Sequence, residues 1–400
     1  TAEGAYANIS NPSAVYCLNL GYQYAITEGV SGQSGICKLS ETLSCDAWDF
    51  LQGLCGQAHN FCAQQGYATR VNTDGRDPFT RAYSVCVDQD GVEVGSVVDL
   101  SGLGKQPTLA GCGGDSAPEL LPPAAESPVG AVDLLPDMPL DLPTSFDWRT
   151  YLDENWLTPV KDQGYCGSCW AFAPVAAAES AHKIGYKNPD LEIDLSEEYL
   201  VSDCFGGNNC CGGSKSSALL FLRSQGVPDE KCMPYGDYFC YCPLGICSTD
   251  CTYHTDGACS DATCTDRCED WDERLVTIDA YGYETPDVAA IQQKLVDVGP
   301  IVVSVGMLET YGGYWDGDIY RCEYDTGVNH AVVIVGFSGD ALDGTGYWIV
   351  RNSWGATWNG DGYFKVGYGE CRIESSPYYV AENLPPTPTP TPKTTKTGTP

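Results

Sequence analysis

Positive charge is scarce in this sequence: 21 lysines and arginines stand against 54 aspartates and glutamates, a formal net charge of −33. A phosphate backbone or an anionic bilayer would repel such a surface, so nucleic acid is not among the expected partners. Long apolar runs are missing too. No stretch approaches the ~18 residues a spanning helix needs, and no membrane span is expected. The chain opens at Thr1 without a Met, a basic leader or an apolar core segment. It reads as a mature or trimmed chain whose signal peptide is already gone.

Cysteine, by contrast, is abundant, with 22 copies in 400 residues. That density implies an oxidising, extracellular setting, secreted or cell-surface. The length implies two or three domains. Residues 1–111 are Cys-rich, and residues 112–143 form a Pro-, Ala- and Asp-rich connector. Residues 144–383 are the large folded part, and 384–400 (LPPTPTPTPKTTKTGTP) are a Pro/Thr tail of extended character. Such a tail suits a spacer leading to a surface anchor beyond Pro400.

The first zone contains a weak repeat. YCLNLGY (16–22) is echoed by FCAQQGY (61–67), and each is followed 20–24 residues later by a second cysteine. Two related small units are expected, at about 8–56 and 57–100, the second without partners for Cys45 and Cys55. Three bridges among six cysteines would hold them together without a large core. The first unit, NPSAVYCLNLGYQY…GICKLSETLSCDAWDFLQGLC, resembles a small bacterial Cys-rich domain of unknown function sometimes labelled hemolysin-like.

The large zone begins helical and ends as sheet. Helices are expected from Cys169 to Gly185, over 195–204 and 214–226, and over 285–299 with Thr285 as N-cap and Pro286 at the first position. Pro174 should bend the first of these. Strands are expected at 301–307, 330–337, 347–354 and 363–369. Helices first and antiparallel strands later imply an α+β fold with two facing sub-domains.

QGYCGSCWAF (163–172) poses the chemical question. A C-x-x-C pair can hold zinc, exchange disulfides or staple a fold, or its two cysteines can have unrelated tasks. A nucleophilic thiol needs a lowered pKa, a base, a group that orients the base, and donors for an oxyanion. Cys169 begins a helix, where the dipole favours a thiolate, with Ser168 as a fitting N-cap. His330 starts an apolar strand, Asn352 follows another, and the Gln163 amide could donate to an oxyanion beside the Cys169 N–H. His59 and His182 have no such context and read as surface or structural residues. The cysteines of CSDATCTDRC (259–268) read as bridge partners, not zinc ligands.

The motif resembles the active-site signature of the papain family. LPTSFDWR (142–149), NNCCGG (208–213), GVNHAVVIVGF (327–337) and NSWGATWNGDGYF (352–364) resemble four further segments of that family, in the same order. The resemblance implies a two-subdomain papain-like fold with a helical half and an antiparallel β-barrel-like half, preceded by small disulfide-rich domains. It implies Cys169 as nucleophile, His330 as general base then acid, Asn352 orienting His330, and Gln163 in the oxyanion hole. It also implies that Trp354 shields the Asn–His contact and helps form the leaving-group side of the cleft. Gly212 and Gly213 would pair with the substrate backbone, with Gly167 and Asn329 also at the substrate site. By motif position the specificity pocket would contain Lys215, Ser304, Val328 and Ser376, more polar than the common apolar pocket, so only a weak preference for bulky apolar residues two before the cut is expected, with tolerance for acidic ones through Lys215. No cofactor or metal is implied, and the partners would be protein or peptide substrates.

The same resemblance implies the bridges Cys166–Cys210 and Cys322–Cys371, and a cathepsin B-like pattern adds Cys204–Cys264 and Cys232–Cys268. Cys211, Cys240, Cys242, Cys247, Cys251 and Cys259 would pair among themselves. With Cys169 set aside, parity leaves Cys112 unpaired, exposed for an intermolecular bridge or able to cap Cys169 in a latent form. The family's helical prosegment is not visible in residues 1–143, yet an activation cleavage near 136–143 is expected. The Cys-rich insert 231–274, with His254, resembles in outline the cathepsin B loop that gives exopeptidase activity, but is shorter. The expected function is a secreted cysteine endopeptidase made as a latent precursor (a zymogen). The alternatives are a catalytically silent protein or an adhesion protein on the same scaffold.

Overall fold

The structure, a computed structural model, describes residues 9–103, 142–206, 208–236, 252–253, 259–260, 262–307, 312–324, 327–339 and 345–382. Residues 9–103 fold as two copies of one small unit. In the first, Asn11 caps α1 (Pro12–Asn19): its Oδ1 accepts from the Ser13 N–H at 2.9 Å, and Pro12 has no N–H to satisfy. An antiparallel sheet follows, of β1 (Gln23–Gly29), β2 (Gly32–Lys38) and β3 (Ser44–Asp46), and then α2 (Ala47–Leu51), capped by Asp46. The second unit repeats that order with α3 (Phe61–Gln64), β4 (Ala68–Asn72), β5 (Tyr83–Val87), β6 (Glu93–Ser96) and α4 (Val97–Ser101). Cys17–Cys37 ties the first helix to the second strand, and Cys62–Cys86 does the same in the second unit. Cys45–Cys55 occurs in the first unit alone.

The remainder is an α+β body built on one large sheet. Its sheet has nine strands: β7 (Ser145–Asp147), β10 (Ala280–Tyr283), β11 (Ile301–Val305), β12 (Gly313–Asp316), β13 (Ile319–Cys322), β14 (His330–Ser338), β15 (Tyr347–Arg351), β16 (Tyr363–Gly367) and β17 (Tyr378–Ala381). The strand order is β10-β17-β11-β14-β15-β16-β13-β12, with β7 paired to β14; all pairs are antiparallel except β13 with β16. Helices α5 (Cys169–Gly185), α6 (Glu198–Val201), α7 (Lys215–Ser224) and α8 (Val288–Asp297) complete it, with a short ladder of β8 (Thr252–Tyr253) and β9 (Cys259–Ser260). Every residue of α5 is buried: most are apolar or small, while Glu179 accepts from Thr158 and Leu195 and Lys183 donates to the Leu157 carbonyl. The helix packs against β14, and Cys169 and His330 are the first residues of these two elements. No helix among the described residues is long and apolar enough to cross a membrane.

Several local expectations need correction. Thr285 does not cap α8: Asp287 does, accepting from the Ala289 and Ala290 N–H groups, and Pro286 precedes the cap. The helix expected over 195–204 shrinks to α6, ending at Ser202 in an extended conformation, while Glu197 pairs with Lys161. Pro174 lies inside α5, as the sequence places it. Cys112, Cys240, Cys242, Cys247, Cys251, His254 and the tail 384–400 lie outside the described residues, as does most of the connector.

Candidate active site

Lys161 anchors the strand-like segment that leads into the site. Its ammonium lies 2.7 Å from Asp194, 2.8 Å from Glu197 and 3.4 Å from Glu179. Two residues on, Gln163 is fixed at both ends. Its N–H donates to the Ser353 carbonyl at 2.9 Å, and its Oε1 accepts from the Ser353 hydroxyl at 2.6 Å. The amide therefore points Nε2 into the site. Tyr235 steadies the same loop: its hydroxyl donates to the Gln163 carbonyl at 2.9 Å and lies 2.8 Å from the Ser168 hydroxyl. Ser168 sits at the N-cap position of α5, but makes no side-chain cap bond because its hydroxyl is engaged by Tyr235.

The Cys169 thiol accepts from the Ala331 N–H at 3.3 Å. His330 Nε2 lies 2.7 Å from Asn352 Oδ1, which also accepts the Ser353 N–H at 2.8 Å. The Trp354 ring lies over the imidazole, stacked at 4.7 Å between centroids. His330 Nδ1 is buried with no hydrogen-bond partner. Cys166 is bridged to Cys210, and the Gly167 N–H donates to the Cys210 carbonyl, which fixes the turn before Cys169. Cys204–Cys264, Cys232–Cys268 and Cys322–Cys371 are also bridged.

The other sequence-derived positions fall around this centre. Gly212 exchanges backbone hydrogen bonds with Asn209, and a Cβ on Gly213 would sit 2.3 Å from the Trp170 ring. Lys215 Nζ donates to the hydroxyls of Ser304 and Ser376, both at 2.8 Å, and lies 5.4 Å from the centre of the Tyr378 ring. Val328 is buried beside Asn329, whose Oδ1 accepts from the Met307 N–H at 2.8 Å. His182 is buried 3.5 Å from Glu382, and His59 packs on Tyr22, both away from this centre.

Nothing in the motifs signals how closed the centre is. Cys169 and Gln163 are 0% exposed and His330 is 1% exposed. Burial pushes the Cys169 thiol up to about 12, against the pull of the Ala331 and Trp170 N–H groups and the Lys215 charge. Burial also lowers His330 to about 4, against its bond to Asn352. The lowered thiol pKa expected at a helix start is therefore not found in this closed form: desolvation outweighs the helix N-terminus. The cover is the N-terminal domain. Gln163 Nε2 donates to the Ile9 carbonyl at 2.9 Å, and the Ile9 N–H donates to the Asn329 carbonyl at 3.1 Å. Asn11, Tyr24 and Trp48 join the cover, and the only sequence signal among them was the Asn-Pro start of α1.

Comparison with known proteins fits this geometry. The profile of the papain family cysteine proteases matches residues 142–381, and a profile of a domain of unknown function, DUF333, matches residues 8–54. A cathepsin L-like peptidase of Aedes aegypti is 33% identical over 233 residues, covering 57% of this chain and 59% of its own length. The cathepsin B-like CP1 of Giardia intestinalis is 32% identical over 251 residues, covering 60% of this chain and 73% of its own. The chain thus spans about three fifths of the length of the Aedes relative. Among solved structures, digestive procathepsin L2 of Tenebrio molitor aligns with a TM-score of 0.48 at 27% identity, over 62% of this chain and 77% of that one. With a family profile spanning most of the chain and the thiol, imidazole and amide gathered at one centre, the chain belongs to the papain family of cysteine proteases.

Proposed function

We propose that the chain is a cysteine endopeptidase, exported to oxidising surroundings and made in a latent form. The observation that carries this reading is a peptide carbonyl, that of Ile9, held by Gln163 Nε2 at the centre formed by Cys169 and His330. Asn352 occupies Nε2 of the imidazole, which leaves Nδ1 to take the thiol proton. The thiolate attacks a substrate carbonyl, and Gln163 Nε2 with the Cys169 N–H stabilises the oxyanion. His330 then protonates the leaving amine, and water releases the acyl group from its thioester. Trp354 keeps water off the Asn352–His330 bond, which preserves the imidazole's orientation.

Lys215 supports a polar specificity pocket. Its ammonium between Ser304 and Ser376 offers a positive charge for an acidic side chain two residues before the cut. The seven disulfides among the described residues support an extracellular setting. The test is covalent labelling by an electrophilic thiol-protease probe, with the site mapped by mass spectrometry, on a chain opened by Asn11→Ala. Label on Cys169 that is lost in Asn11→Ala/His330→Ala supports the mechanism. Label indifferent to His330 refutes it.

A further inference from the structure

We propose that the N-terminal disulfide-rich domain is an inhibitor of its own chain, which lays the Ile9–Ser10 peptide bond across Cys169 in the direction of a substrate. This rests on the peptidase reading above and assigns a task to a domain that carries none. The direction follows from which carbonyl is held. The oxygen bonded to Gln163 Nε2 belongs to Ile9, and the N–H of that same residue donates to the Asn329 carbonyl. Ile9 therefore lies on the acyl side, and the bond presented for cleavage joins it to Ser10. The next residues run along the opposite side of the cleft. The Asn11 N–H donates to the Gly164 carbonyl at 2.8 Å, and Asn11 Nδ2 reaches the Trp354 carbonyl at 3.4 Å.

The docking is built from matched buried polar groups. Asn11 Nδ2 donates to Asp162 Oδ1 at 2.8 Å and the Tyr24 hydroxyl to Asp162 Oδ2 at 2.7 Å. The Trp48 indole donates to the Trp354 carbonyl at 2.9 Å. At the β1–β2 turn the Gln33 N–H donates to Val160 and its carbonyl accepts from Ala356. A side chain on Gly32 there would sit 2.2 Å from the Val160 carbonyl oxygen, so this turn fits only as glycine. The second unit adds two bonds of its own, Trp315 N–H to the Gly75 carbonyl and Trp358 Nε1 to the Phe79 carbonyl. Leaving any of these buried groups unpaired is costly, which makes the fit specific.

A bond presented in this way survives because its leaving group cannot leave. If the Cys169 sulfur attacks the Ile9 carbonyl carbon, the carbon–nitrogen bond to Ser10 breaks and His330 passes the thiol proton to the Ser10 nitrogen. The thioester then faces an amine that is still in place. Ser10 is followed by Asn11, the cap of α1, and α1 is tied to β2 by Cys17–Cys37. The amine re-attacks the thioester, the proton returns to sulfur, and the peptide is restored. Water, the competing nucleophile, is kept out by the burial of Cys169 and His330.

The test uses the full chain and a small alkylating agent, iodoacetamide, whose reaction with Cys169 needs exposure but not catalysis. Cys169 alkylation is read by peptide mapping, with hydrolysis of a fluorogenic peptide in parallel. Asn11→Ala/Trp48→Ala should alkylate at least about tenfold faster than the unaltered chain. Ile9→Pro should also do so: it lacks the N–H given to Asn329, and it precedes α1, so no element of the fold depends on it. Equal rates in all three chains would overturn the proposal. If the variants alkylate faster yet hydrolyse nothing, the occlusion stands and the peptidase reading falls.

Discussion

Tyr24 and Asp162 face each other across the junction between the N-terminal domain and the rest of the chain, joined by a 2.7 Å hydrogen bond with both residues buried. Tyr24→Phe removes the donor and leaves one carboxylate oxygen unpaired. Docking should weaken by about 1–3 kcal/mol, which corresponds to roughly 5–150-fold faster alkylation of Cys169. An unchanged alkylation rate would remove Tyr24 from the junction's energetics.

On the mechanism proposed above, Gln163 would serve both states of the chain. In the closed state its amide holds the Ile9 carbonyl, and in the reacting state it would hold the oxyanion. Gln163→Ala should therefore have opposite effects on two readouts. Cys169 should alkylate faster in the intact chain, while peptide turnover by the opened chain should drop by about 10²–10³ in kcat. Loss of turnover without faster alkylation would separate the two roles.

The junction should loosen as pH rises. Asp77, in the second unit, is buried and its carboxyl is pushed up to about 7, chiefly by burial and in part by Asp99, against donations from the Phe79 and Thr80 N–H groups and the Thr80 hydroxyl. It also acts on Tyr320 of β13, across the junction. Burial raises Asp162 as well, against bonds from Asn11, Tyr24 and the Gly164 N–H. To the extent that undocking exposes these carboxyls to water, their raised pKa in the docked state favours docking in acid. That contribution is complete below the ordinary carboxyl pKa and is lost as pH rises through the docked value. Alkylation of Cys169, normalised to that of the Asn11→Ala/Trp48→Ala chain, should increase between pH 4.5 and 7.5, and Asp77→Asn should flatten the rise. A profile that opens in acid would contradict this sign.

Lys215 should set the preference two residues before the cut. In a peptide library the opened chain should accept Asp and Glu at that position. Lys215→Leu should reduce cleavage of those peptides by about 10–100-fold, the worth of one charge-assisted hydrogen bond, and raise cleavage of peptides with Leu or Phe there. Dominance of Leu or Phe in the unaltered chain would reject the acidic preference.

The sequence revealed the chemistry more readily than the geometry that silences it. Cys169, His330, Asn352 and Gln163 could be named because each lies in a motif whose residue types and order carry a mechanism. Likewise the pattern of paired cysteines and the echoed YCLNLGY and FCAQQGY segments announced a repeat. Ile9 could not be named, because its role rests on a backbone N–H and carbonyl that any residue but proline would supply. Asp162 and Trp48 looked ordinary because their partners lie 151 and 306 residues away. The misplaced cap of α8 has a simpler origin: Thr285 and Asp287 both precede the helix, and Asp287 is the one whose carboxylate reaches two free N–H groups. Ser168 takes the N-cap position as its sequence suggests, but its hydroxyl is engaged by Tyr235, which comes from a distant loop.

The order of the two parts along the chain also sets the order in which they meet a ribosome. The unit that supplies Ile9, Tyr24 and Trp48 has its cysteines complete by Cys55, whereas Asn352 lies about 300 residues later. At roughly 5–20 residues per second, translation would give that unit on the order of 15–60 s to close its bridges before the centre can form around Cys169. On the occlusion proposed above, a nascent chain would meet its own cover before its centre could form, and would stay closed through its synthesis.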